Sequence, residues 1–95
     1  MVKKEFIDLN DVFPEVEFND KFVADYSRRV KSKDWKGKIR VQLKKIICDP
    51  LTGKPMRRVR KGTREVYLDS YRLAYLYSKD DDILKFLRIY HKDNQ

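Results

Sequence analysis

The chain has 95 residues, of which 41% are apolar and 40% charged, with 23 Lys/Arg against 15 Asp/Glu. That is one small domain with material for a thin core, too rich in apolar and aromatic side chains for a disordered chain and without the run of about 18 apolar residues that a membrane helix needs. Cys48 has no partner for an internal disulfide, which suits a reducing, cytoplasmic setting, and Cys48 with the one histidine, His91, makes no closed metal-ligand set, so neither metal nor cofactor is expected.

The N-terminus, Met1-Val2-Lys3-Lys4-Glu5-Phe6-Ile7-Asp8, turns acidic too early for a secretory signal. Residues 1–13 read as an arm, with Phe6, Ile7, Leu9 and Phe13 available to tack it down. Residues 14–95 read as the domain proper. Alternation through Pro14-Glu15-Val16-Glu17-Phe18 predicts a short strand with Val16 and Phe18 inward. Asn19 is a helix cap, and Phe22, Tyr26 and Val30 follow at i, i+4 and i+8 on one stripe. Ser32-Lys33-Asp34 reads as a break and a new cap. The second helix carries Ile39, Leu43, Ile46 and Ile47 on one face, with Lys36, Lys38, Arg40, Lys44 and Lys45 around the rest. Asp49-Pro50 stops it, because the residue before proline is pushed out of the helical region.

Gly53 and Pro55 mark a loop, and residues 56–62 are mostly cationic and irregular. From Arg64 the period becomes two. Val66 and Leu68 alternate with Glu65, Tyr67 and Asp69, and Asp69-Ser70 turns the chain. Tyr71, Leu73, Tyr75 and Tyr77 then share one face, with Arg72, Ala74 and Leu76 on the other. A polar turn at residues 78–82 leads to a last strand over 83–90. Strict alternation puts Leu84, Phe86, Arg88 and Tyr90 on one side of it. The expected fold is α+β, a two-helix hairpin packed on one face of a small twisted antiparallel sheet, in the order β-α-α-β-β-β. The uncovered sheet face carries Arg72 and Arg88.

The charge is lopsided: residues 1–27 are net −4, residues 28–64 net +13 and residues 65–95 net −1. A stretch of that sign and density calls for a polyanion, and nucleic acid releases counterions when it is neutralised. Lys54, Arg57, Arg58, Arg60, Lys61 and Arg64 are the densest part, and Lys44 and Lys45 extend it. The same cations equally suit an acidic protein segment. Tyr71, Tyr75 and Tyr77 sit beside Leu73 and belong to the core rather than to a stacking platform.

The ordered set Asp49-Pro50-Leu51-Thr52-Gly53-Lys54-Pro55, Gly62-Thr63-Arg64-Glu65-Val66, Tyr71-Arg72-Leu73-Ala74-Tyr75 and Tyr90-His91-Lys92-Asp93 resembles the RelE/ParE toxin superfamily of prokaryotic toxin–antitoxin systems, over residues 14 to 95. The resemblance implies two helices on a twisted antiparallel sheet and a cognate antitoxin that wraps and neutralises the toxin. In the RelE branch it implies metal-free cleavage of mRNA in the ribosomal A site. In the ParE branch the target is DNA gyrase. A third reading is a basic nucleic-acid-binding module without toxicity.

Metal-free cleavage uses the RNA 2′-hydroxyl as nucleophile, and fixed arginines answer the charge that builds on phosphorus. Arg72 falls where the family keeps its strand arginine. Arg88 either assists it or pairs with an acidic neighbour. Histidine is the residue type suited to proton transfer near neutral pH, and Lys92 aligns with the family's C-terminal basic position, so either His91 or Lys92 suits the proton donor. The basic stretch becomes the docking surface for ribosomal RNA. Two departures stand out. The tyrosine that many RelE-like nucleases carry beyond this basic position is absent from a sequence ending at Gln95, with Tyr90 or Tyr67 as substitutes, and Glu65 falls where some place a lysine.

Overall fold

The computed structural model describes Phe13 and residues 15–94. Residues 1–12 of the expected arm lie outside the described residues, while Phe13 is buried in the core. The chain runs through β1 (Glu17–Phe18), α1 (Asp20–Arg29), α2 (Lys33–Cys48), β2 (Lys54–Pro55), β3 (Thr63–Leu68), β4 (Tyr71–Ser78), β5 (Ile83–His91) and a short 3-10 turn (Lys92–Asn94).

Both helices begin where their caps predict. The Asn19 side chain accepts from the Lys21 N–H at 2.9 Å, and the Ser32 hydroxyl accepts from the Trp35 N–H at 3.1 Å. Each satisfies a donor that the first helical turn leaves without a partner. α2 stops at Asp49, one residue before Pro50, as proline's steric demand requires. The stripes then meet: Phe22 and Tyr26 from α1, Val30 at its C-cap, and Ile39, Leu43 and Ile46 from α2 are buried against Leu73, Tyr75, Phe86 and Ile89 of the sheet. Phe18, Phe22 and Phe86 pack as an aromatic cluster with ring centroids 5.5–5.8 Å apart.

The five strands lie in the order β1-β5-β4-β3-β2. The helices cover one face, as expected, and the sheet itself departs from expectation in two ways. It is mixed rather than antiparallel, because β1 runs parallel to β5, pairing Glu17 with Lys85 and Phe18 with Phe86. A short β2 also pairs with β3 at the far edge. Both edges are two-residue strands, which keeps exposed pairing groups few.

β5 carries the feature that decides which side chains meet. Tyr75 faces Phe86 across the ladder, yet Ala74 faces Arg88, so Leu87 is the extra residue of a β-bulge. Strict alternation would keep Leu84, Phe86, Arg88 and Tyr90 on one side. The bulge corrects this. Phe86 turns to the core, opposite Tyr75, while Arg88 and Tyr90 turn to the open face, opposite Ala74 and Arg72.

Beyond Phe86, β5 has no described strand on its outer side, and α1 fills that place. Asp25, 1% exposed, sits on the α1 apolar stripe. Its Oδ2 accepts from the Ile89 N–H at 2.9 Å and from Arg88 Nε at 2.7 Å, and its Oδ1 accepts from Arg88 Nη2 and Arg28 Nη2, both at 3.2 Å. A buried carboxylate is tolerable only when donors surround it in this way. Asp25 thereby does for the end of β5 what a neighbouring strand would do.

Candidate functional site

The open face is built from two rows that cross three strands. One row is Tyr67–Arg72–Tyr90 and the next is Glu65–Ala74–Arg88. Arg72 lies over the Tyr67 ring, its guanidinium carbon 3.8 Å from the centroid, and Nη1 donates to the Tyr71 carbonyl at 3.1 Å. Its Nε–H has no hydrogen-bond partner among the described residues. Tyr67 is 53% exposed, a large aromatic surface held at the face by the cation above it.

Tyr90 reaches diagonally across β4 and donates to Glu65 Oε2 at 2.7 Å. The small side chain of Ala74, between Glu65 and Arg88 in its row, leaves room for that crossing. Burial, and then the bond and charge of Glu65, push the Tyr90 phenol up to about 12. Tyr90 is therefore a neutral phenol at physiological pH, beside a guanidinium and bonded to a carboxylate.

Above this face runs the basic loop. Two grooves open beneath it, on either side of Tyr90. A groove of about 610 Å³ is lined by Lys54, Arg57, Arg58, Glu65 and Tyr90, and one of about 440 Å³ by Arg29, Arg60, Ala74, Arg88 and Tyr90, with Met56 and Val59 in both. The loop is anchored at its base. The buried Tyr75 hydroxyl accepts from the Gly53 N–H at 2.8 Å and donates to the Pro50 carbonyl at 2.7 Å. Burial is also the main reason that Tyr75's phenol pKa is raised. At Gly53 a Cβ would stand 2.5 Å from that hydroxyl, which accounts for the glycine.

The predicted residues thus divide. Arg72 and Arg88 share the open face, with Lys54, Arg57, Arg58 and Arg60 around it. Arg88 takes the paired alternative: two of its nitrogens are on Asp25, whose bond is also the first cause of its raised pKa. Arg64 is not part of the exposed cluster. It projects to the other side, and its Nη1 donates to the Leu51 and Gly53 carbonyls at 3.2 and 2.6 Å. Lys44 and Lys45 are exposed on α2, whose buried face packs on the opposite side of the sheet, and neither lines the two grooves. Lys61 is exposed in the loop.

His91 stands opposite Tyr71 rather than beside Arg72, as alternation predicts. Its ring meets Tyr71 edge-on at 5.2 Å, Tyr71 meets Trp35 at 5.3 Å, and Nδ1 accepts from the Asp93 N–H at 3.2 Å. Lys92 is exposed at the strand end, its backbone N–H bonded to the Ser70 carbonyl at 2.8 Å. Sequence reasoning missed Asp25. The signal was there: a carboxylate next to Tyr26 and three residues from Phe22 lies on a buried stripe and needs a partner. Among the described residues no group of three His, Cys, Asp or Glu is placed to hold a metal ion, and no helix is long and apolar enough to cross a membrane.

The family model described as ParE toxin of type II toxin–antitoxin system, parDE, matches residues 16–95. No curated protein matches. Among solved structures, the toxin–antitoxin complex RelBE2 from Mycobacterium tuberculosis is similar at TM-score 0.65 and 25% identity, over 80% of this chain and 94% of that one. YafQ from E. coli strain BL21(DE3) is similar at TM-score 0.65 and 20% identity, over 83% and 93%. The isolated E. coli RelE toxin is similar at TM-score 0.64 and 13% identity, over 80% and 81%. The last two likenesses concern the fold alone.

Proposed function

We propose that this chain, which belongs to the RelE/ParE superfamily of type II toxin–antitoxin toxins, is a ribosome-dependent mRNA endonuclease held in check by a cognate antitoxin. The observation that carries the reading is Arg72: a guanidinium on the open face, braced on Tyr67, its Nε–H unpaired among the described residues, beside a phenol bonded to a carboxylate and below an arginine-rich loop.

In this reading the mRNA backbone lies on the open face and the 2′-hydroxyl attacks the adjacent phosphorus. The 2′-oxygen to phosphorus bond forms and the phosphorus to 5′-oxygen bond breaks. Arg72 supplies fixed positive charge where the phosphorane gathers negative charge, an effect that is large because it needs no reorganisation at the moment of reaction. The Glu65 carboxylate accepts the 2′-hydroxyl proton. Tyr90 gives its proton to the departing 5′-oxygen and recovers one from Glu65 along the same hydrogen bond. Lys92, exposed at the end of β5, is the second donor, and Lys54, Arg57, Arg58, Arg60 and Lys61 grip phosphates of the ribosome or message without reading sequence. No metal is needed for any of these steps.

Two observations favour a second reading, a non-enzymatic gyrase inhibitor: the matching family model is that of ParE toxins, and the histidine packs against Tyr71 away from Arg72. Mapping mRNA 5′ ends by primer extension after induced expression separates the two. The nuclease reading expects ribosome-dependent cuts that fall about 10²–10³-fold in Arg72→Ala, the size of losing one charge-stabilising donor. Intact mRNA with damaged DNA refutes it, and cuts unchanged in Arg72→Ala remove Arg72 from the mechanism.

A further inference from the structure

The groove of about 440 Å³ on the Arg88 side of Tyr90 has a lining of two characters. Its apolar part comes from Met56, Val59, Ala74 and Leu87, and its rim carries Arg29, Arg60 and Arg88. Among the described residues no Asp or Glu lines it. The carboxylates bonded to its lining residues Arg88 and Tyr90 are already engaged, Asp25 by Arg88 and Arg28, and Glu65 by Tyr90. Among the described residues Arg29 Nε is buried without an acceptor, and Arg88 keeps Nη1 free while Nε and Nη2 are on Asp25. Val59 is 48% exposed, an apolar side chain held at the groove mouth with nothing upon it.

A bare phosphate would satisfy the arginines and leave the apolar lining wet. An apolar peptide would cover the lining and bury guanidiniums without acceptors, at a cost that unpaired buried charge always carries. A nucleotide answers both, since its base stacks on apolar, aromatic or guanidinium surfaces while its phosphate takes the charge. The place along the sheet fits too. Ala74 lies two residues from Arg72 on the same face, a step of about 7 Å along a strand.

We infer that this groove seats the base of a single unstacked nucleotide next to the scissile phosphate, with Val59, Ala74 and Leu87 against the base and Arg29, Arg60 and Arg88 around its sugar–phosphate. The inference rests on the nuclease reading for the identity of the RNA, but it is a statement about binding. It also gives the bulge a purpose, because Leu87 and Arg88 reach the groove together only through the extra residue.

The test is methyl NMR on the full chain, titrated with guanosine and uridine 5′-monophosphates, with ribose 5-phosphate and inorganic phosphate as probes that lack a base. The nucleotides are expected to move the Val59, Ala74 and Leu87 methyls, and the base-free anions to leave them in place. Val59→Ser, at an exposed wall that the fold does not need, and Leu87→Ser are each expected to weaken nucleotide binding about three- to tenfold, the loss of part of one buried apolar side chain, with phosphate binding unchanged. Equal shifts from ribose 5-phosphate reduce the groove to an anion site and overturn the inference. So do shifts from a glutamate-rich peptide in the absence of any from nucleotides, which assign the groove to a protein partner. If nucleotides fill the groove but expressing cells show no mRNA cuts, the nuclease reading fails and the seat stands. If cuts appear and no methyl moves, the seat fails and the nuclease reading stands.

Discussion

Replacing Asp25 with alanine tests whether one carboxylate replaces a missing strand at the end of β5. The change removes four accepted hydrogen bonds: two from Arg88, one from Arg28 and one from the Ile89 N–H. The Ile89 N–H is buried, and leaving it without an acceptor costs about 1–3 kcal/mol. The charged bonds to Arg88 contribute about 1.5–3 kcal/mol, at the lower end because that guanidinium reaches solvent. Arg28 is two-thirds exposed and adds no more than about 0.5 kcal/mol. The expected loss is about 3–5 kcal/mol, the usual cost of breaking a buried ion pair. A domain of this length is stable by about 5–14 kcal/mol, so the variant should retain a fold in which urea unfolding begins far earlier. Urea titration followed by circular dichroism measures it. The companion measurement is a cycle with Arg88→Met. Because the two residues are bonded, the double variant should be less destabilised than the two single ones added together, by about 2 kcal/mol. A loss under about 1 kcal/mol for Asp25→Ala, or strict additivity in the cycle, refutes the reasoning that this carboxylate is the partner of the β5 edge.

Tyr90 should titrate near pH 12, seen as phenolate absorbance delayed relative to free tyrosine, and Glu65→Gln should bring it down by removing a negative neighbour. Because its pKa is raised in the fold from the ordinary 10.0, the stability it contributes is whole below pH 10 and declines between pH 10 and about 12, measurable as a falling urea midpoint. Tyr75→Phe deletes the hydroxyl that bonds Gly53 and Pro50, at a cost of about 1–3 kcal/mol from a buried N–H left unpaired, with faster proteolysis in the loop that follows. The glycines divide in sign. At Gly37, inside α2, a Cβ meets nothing within 4 Å, so Gly37→Ala should stabilise by about 0.5–1 kcal/mol. At Gly62, with φ +94°, a Cβ would stand 2.6 Å from the Tyr77 carbonyl oxygen, so Gly62→Ala should destabilise by more than about 1 kcal/mol in the same assay.

Much of this molecule was written in local pattern. Asn19 and Ser32 start the helices, Pro50 stops the second, and the stripes at Phe22, Tyr26 and Val30 and at Ile39, Leu43 and Ile46 name the faces that are buried. Alternation placed Arg72 away from the helices and His91 toward them. These properties depend on residues within a turn or two of one another, so the sequence carries them openly. The basic stretch was equally legible as composition, but not as a surface. Arg64 went to the loop carbonyls and Lys44 and Lys45 to the exposed side of α2, because a run of charge says nothing of which side each member takes.

What only the tertiary structure decided is the register between segments far apart in the chain. The parallel β1, the extra residue at Leu87, the crossing of Tyr90 to Glu65 and the grip of Asp25 on Arg88 and Ile89 each join residues separated by 11 to 68 positions. A bulge inverts every side chain beyond it, and no periodicity within β5 announces that inversion, since its apolar residues occupy both faces. The sequence determined by itself which residues are able to form the site. Long-range pairing decided which of them meet, because strand register is settled by the fit of the whole core rather than by any one segment.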